Sequence, residues 1–127
     1  MRISIPPTRT RARPILVVDD DRDIRRLERE VLAAEGFRVV EASNGEEALL
    51  AMRRDPPACV VLDVQMPGVD GPAFAHKLRT QLRRVPLIIL TAAEDPRREA
   101  DRCNAEAYLR KPFDTEEFVR LIRRFAV

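Results

Sequence analysis

The stretch ACVVLD, residues 58–63, runs five positions without a charge and stops at an acid. An apolar run this short has the length of a strand, and without polar alternation it suits a strand covered on both faces. Two other runs share its character: ILVV at 15–18, which continues into Asp19, Asp20 and Asp21, and LIIL at 87–90, followed by Thr91. Weaker runs occur at FRVVEA, residues 37–42, and at Ala107 to Leu109.

Between these runs lie longer amphipathic segments. The spacing predicts helices at 22–35, 45–54, 71–83, 96–103 and 115–125, so the chain reads as five βα units. Local signals mark the ends. Gly36 stands where a left-handed residue closes a helix, Asn44 can cap the second helix, and Asp114 with Glu117 forms a capping-box variant. In the last helix Phe118, Leu121, Ile122 and Phe125 fall at i, i+3, i+4 and i+7, one apolar face to lay on a sheet.

Alternation of this kind calls for an α/β fold with a parallel sheet between helices. The strands at 37–42 and 107–109 are edges, because the first is interrupted by Arg38 and Glu41 and the second is short. With right-handed crossovers this gives a doubly wound five-stranded sheet of order 2-1-3-4-5, with its crevice at the carboxyl ends of the first and third strands.

At 127 residues, 45% of them hydrophobic, the chain has the size of one domain. Charged residues make up 35% yet nearly cancel at +2, so net charge gives no reason to expect nucleic-acid or membrane binding. Residues 1–13, MRISIPPTRTRAR, hold four Arg, no acid and two adjacent Pro, and are expected to form a mobile basic tail before a domain at 14–127. Neither a membrane-length apolar run nor a secretory signal is legible, which predicts a cytoplasmic protein with Cys59 and Cys103 as reduced thiols. Arg outnumbers Lys by 21 to 2, so Lys77 and Lys111 stand out as positions where a compact ammonium is kept.

The residues just past the strands carry the chemistry. A parallel sheet brings Asp19, Asp20 and Asp21, Asp63, Thr91, and Arg110 with Lys111 to one edge. Carboxylates gathered there repel one another and call for a positive partner. A hard divalent cation such as Mg²⁺ suits oxygen ligands and bridges carboxylates to phosphate, Lys111 adds a point charge for a phosphoryl oxygen, and Thr91 adds a hydroxyl donor. In such a pocket a carboxylate can act as nucleophile toward a phosphoryl group.

The stretches LVVDDD at 16–21, VVLDVQMPGVDG at 60–71, LIILTA at 87–92 and AYLRKPF at 107–113 resemble the receiver domains of two-component response regulators, over roughly residues 14–125. The chemotaxis regulator of that family has the same flavodoxin-like order 2-1-3-4-5. The resemblance implies that Asp63 is the phosphoacceptor, that Asp20 and Asp63 ligate Mg²⁺ with the Gln65 carbonyl, and that Asp19 contributes through water. It also implies that Thr91 and Lys111 hold the phosphoryl oxygens, that Tyr108 turns inward as Thr91 moves, and that the Lys111–Pro112 bond is cis.

The implied function is a single-domain, phosphorylation-driven switch rather than an enzyme with a separate substrate. Its implied donor is a histidine kinase or a histidine phosphotransfer protein. The target is an unnamed protein met by the surface from about residue 94 onward, and the implied state is a monomer or a phosphorylation-linked dimer. The alternatives are a phosphorylation-independent docking module and a receiver cut from a longer regulator. A phosphatase of the haloacid dehalogenase type would need Asp-x-Asp, and Asp63 is followed by Val64 and Gln65. A flavodoxin-like cofactor binder would need donors where Asp19 to Asp21 stand.

Each residue has a duller reading. Asp19 and Asp20 can cap a helix, Thr91 can be an ordinary strand end, Tyr108 can be packing, and His76 is expected on a helix surface without a ligand role. A glycine is usual in the family at the position of Asn104, where Asn also tolerates a left-handed backbone.

Overall fold

In the computed structural model, which describes residues 12–64, 70–81 and 84–126, the elements alternate as the sequence pattern requires. They are β1 (Ile15–Val18), α1 (Arg22–Ala34), β2 (Val39–Ala42), α2 (Gly45–Arg54), β3 (Cys59–Asp63), α3 (Gly71–Gln81), β4 (Leu87–Thr91), α4 (Pro96–Arg102), β5 (Ala107–Arg110) and α5 (Thr115–Phe125). The five strands form one parallel sheet in the order β2-β1-β3-β4-β5. This is the flavodoxin-like arrangement expected, with the two interrupted or short strands at the edges.

Both faces of the sheet are buried because the central strands are apolar throughout. Leu16, Val18, Val60, Leu62, Leu87 and Ile89 pack on one face with Ala48 and Met52 of α2 and with Phe74 and Leu78 of α3. Ile15, Val17, Cys59, Val61, Ile88 and Leu90 pack on the other face with Leu32 of α1 and with Phe118 and Ile122 of α5. Cys59 and Cys103 lie in opposite clusters and are free thiols, as expected.

The caps fall where the turn chemistry puts them. Asn44 accepts from the Glu47 amide at 2.8 Å and Asp114 from the Glu117 amide at 2.7 Å. Gly36 (φ 94°) and Asn104 (φ 52°) take the left-handed backbone, and the Lys111–Pro112 bond is cis. Residues 1–11, most of the expected tail, lie outside the described residues, as does Gln65; the Ala12 carbonyl accepts from Arg38 Nε at 3.0 Å. His76 and Lys77 are exposed on α3.

Candidate functional site

Parallel pairing sets the strand ends side by side. Val18 is level with Leu62 and Asp63 with Leu90, so Asp19 follows directly beside Asp63. Thr91 is level with Arg110, and the Lys111 amide donates to the Thr91 carbonyl at 2.8 Å, which puts Lys111 at the same edge.

Here the acids of the sequence meet. Asp19, Asp20 and Asp63 each bring a carboxylate oxygen within 4.8 Å of the others, with Asp19 and Asp63 buried and Asp20 exposed. Lys111 Nζ lies 3.1 Å from Asp63 Oδ2. Thr91 is fully buried, and its hydroxyl oxygen accepts from the Ala93 amide at 3.0 Å. Tyr108 on the edge strand is 39% exposed.

The capping explanation of the acids falls to their neighbour. Asp21 is the N-cap of α1, accepting from the Asp23 and Ile24 amides at 3.0 and 3.1 Å. Asp19 does something else: its Oδ1 accepts from the Asp21 amide at 2.9 Å, while its Oδ2 is buried without a hydrogen-bond partner. Burial drives the Asp19 carboxyl up to about 6; the Asp21 amide opposes this, Asp63 adds to it, Lys111 opposes it and Asp20 adds again. A buried carboxylate with an idle oxygen and two acids beside it fits a hard divalent cation, so the donor set suits Mg²⁺.

Two residues that the sequence reading passed over support this pocket. Arg25 spans from α1 to both neighbours, donating from one terminal nitrogen to the Asp19 carbonyl at 2.7 Å and from Nε to Glu41 Oε1 at 2.9 Å. It thereby holds the loop after β1 against β2. Glu28 is buried in α1 with Oε1 unpartnered, and the charges acting on it are those of Asp19, Lys111 and Asp63. The signal for both was their spacing with Leu32, at i, i+3 and i+7, which marks the inward stripe of α1.

Residues 15–123 match the response regulator receiver domain family. Over 111 residues, 86% of its length, the chain is 44% identical to the probable transcriptional regulator ycf27 of Pyropia yezoensis and 40% identical to the transcriptional regulatory protein SrrA of Staphylococcus aureus. It spans 45% and 46% of those two relatives, somewhat under half of each. Among solved structures it is similar to the chemotaxis protein CheY4 of Vibrio cholerae (TM-score 0.82, 28% identity, 91% of this chain and 99% of that one). It is also similar to the response regulator TrrA of Thermotoga maritima in complex with Mg²⁺-BeF (TM-score 0.79, 34% identity, 89% of this chain and 98% of that one).

The chain therefore belongs to the response regulator receiver domain family of two-component systems. Among the described residues no helix is long and apolar enough to cross a membrane.

Proposed function

We propose that this chain is a phosphorylation-dependent switch in which Asp63 accepts a phosphoryl group from a phosphohistidine on a histidine kinase or histidine phosphotransfer protein. The observation that carries the reading is the Lys111 ammonium 3.1 Å from Asp63 Oδ2, at the edge where Asp19 and Asp20 converge. Family membership supports it, as does the Mg²⁺-BeF complex of the similar TrrA.

In the reaction a carboxylate oxygen of Asp63 attacks phosphorus and forms an O–P bond. The N–P bond to the donor imidazole breaks, and the imidazole leaves with the bonding pair and takes a proton from solvent. Asp19, Asp20, Asp63 and the carbonyl of Gln65 would hold Mg²⁺, which offsets the charge of the phosphoryl oxygens. Lys111 is already beside the carboxylate that is to carry the group, and it shifts onto a phosphoryl oxygen. Thr91 turns its hydroxyl proton to another. As Thr91 moves, Tyr108 turns inward from its exposed position, and the altered α4-β5-α5 surface meets a protein target.

On this reading the folded receiver is residues 14–127, residues 1–13 are a basic tail, and the protein works in the cytoplasm as a monomer or phosphorylation-linked dimer. It catalyses only its own phosphorylation and dephosphorylation and binds no nucleic acid directly. A second reading, the receiver portion of a longer regulator, is favoured by the two relatives of roughly twice the length named as transcriptional regulators. The reading frame around the chain separates the two, and the chemistry at Asp63 is common to both.

With acetyl phosphate and Mg²⁺ the protein is expected to gain one acid-labile phosphoryl group, and Asp63→Asn to gain none while keeping its fold. Intact-mass measurement with circular dichroism checks both. Label persisting on Asp63→Asn would move the acceptor elsewhere.

A further inference from the structure

Glu28 has no packing reason to be where it is. It is 6% exposed, and its Oε1 meets no hydrogen-bond donor. A buried polar atom without a partner costs free energy that an apolar residue would not. Helix α1 has apolar residues it could have turned inward, since Ile24 and Leu27 are 41% and 57% exposed. The inward stripe instead carries Arg25, Glu28 and Leu32, and of these Arg25 is accounted for by the Asp19 carbonyl and Glu41.

Its position explains what it senses. Leu32 packs with Val17 and Val61 on the sheet, and Glu28 lies one turn nearer the start of α1, toward the strand ends that bear Asp19 and Asp63. Burial pushes its carboxyl up to about 8; Asp19 adds to this, Lys111 opposes it and Asp63 adds to it. All three of those charges belong to the site. The close acid cluster among the described residues is Asp19, Asp20 and Asp63, so Glu28 stands outside it and any influence it has is through charge at a distance.

Resting on the phosphoacceptor reading, we propose that Glu28 is a positioning residue of the site, whose carboxyl favours a bound divalent cation and disfavours the phosphorylated state of Asp63. The coupling of charges is reciprocal: what Asp19 and Asp63 do to Glu28, Glu28 does to any charge placed among them. A dication there stabilises an ionised Glu28. A phosphoryl group adds negative charge at Asp63 and works against it. One side chain thus tightens cation binding and shortens the life of the phosphorylated form.

The test compares the wild-type protein with Glu28→Gln, which keeps the shape, and Glu28→Leu, which fills the site with hydrocarbon. Mg²⁺ is titrated by amide chemical shifts, and decay of the acetyl-phosphate-loaded protein is followed by intact mass at one mildly alkaline pH. The expected result is a Mg²⁺ dissociation constant raised about fivefold or more, together with a longer phosphoryl half-life, in both variants. Glu28→Asp, which keeps the charge, should restore the wild-type affinity.

A merely structural Glu28 would shift melting temperatures and leave both constants at the wild-type values, and that result overturns the proposal. Should wild-type protein take up no phosphoryl group, the role of Asp63 fails and the Mg²⁺ titration still decides that of Glu28. Uptake by wild type with unaltered variants removes Glu28 alone.

Discussion

Asp19 is buried beside two other acids. Its carboxyl ionises near 3.8 in an unfolded chain and near 6 in the fold, chiefly because it is buried. A raised acid gives its full share of stability below the unfolded value and loses it as pH rises through the folded one. In cation-free protein that loss falls between about 4 and about 6, and a bound cation offsets it. A proton on Asp19 removes negative charge that a cation would meet, so Mg²⁺ affinity is expected to fall as pH drops below about 6. Asp20 is exposed. Asp20→Ala should weaken Mg²⁺ by roughly tenfold or more, ~1.4 kcal/mol, across that pH range. Isothermal titration at several pH values checks both, and an unchanged isotherm for Asp20→Ala would remove it from the ligand set.

At the scale of elements, most of the architecture is legible in the sequence. The apolar runs became the central strands, and the interrupted run with Arg38 and Glu41 became edge strand β2. Boundaries moved only slightly: Asp63 and Thr91 close their strands from within instead of following them. The orientation of α1 was less legible. Ile24 and Leu27 are apolar yet exposed, while the helix buries Glu28 and Leu32 and packs Val31 against the core. The turn before β5 is legible through Asn104, which takes the left-handed backbone. Its backbone at φ 52° is tolerated by Asn and strained for a residue with a Cβ and no local hydrogen bond. Asn104→Ala is expected to cost about 1 kcal/mol, read as a lower urea midpoint with unchanged slope.

For the molecule as a whole, parallel connection sends every strand's carboxyl end to one pole. That single fact assembles a site from four strand ends spread between Asp19 and Lys111, and it stacks acids at one pole with one ammonium, Lys111, seated against Asp63. A crowded acidic pole strains the fold, so a cation that binds it should stabilise the native state. At a hundredfold excess over its dissociation constant Mg²⁺ is expected to add about 2.7 kcal/mol, a rise of several degrees in melting temperature that EDTA reverses. Thermal scans with Ca²⁺ and with monovalent salt of equal ionic strength distinguish site binding from screening, and a shift reproduced by NaCl alone would count against the site.

The linear chain by itself determined the alternation of elements, the edge strands, the cap residues and the list of polar groups at the strand ends, since each depends on local periodicity or on neighbours a few positions away. Only the tertiary structure decided that Lys111 sits against Asp63, that one oxygen of Asp19 is left without a donor, and that Glu28 is buried on the inward side of α1 with an oxygen unpartnered. Those outcomes depend on distances between segments far apart in sequence and on the rotation of a helix about its axis. No local pattern of residues encodes either.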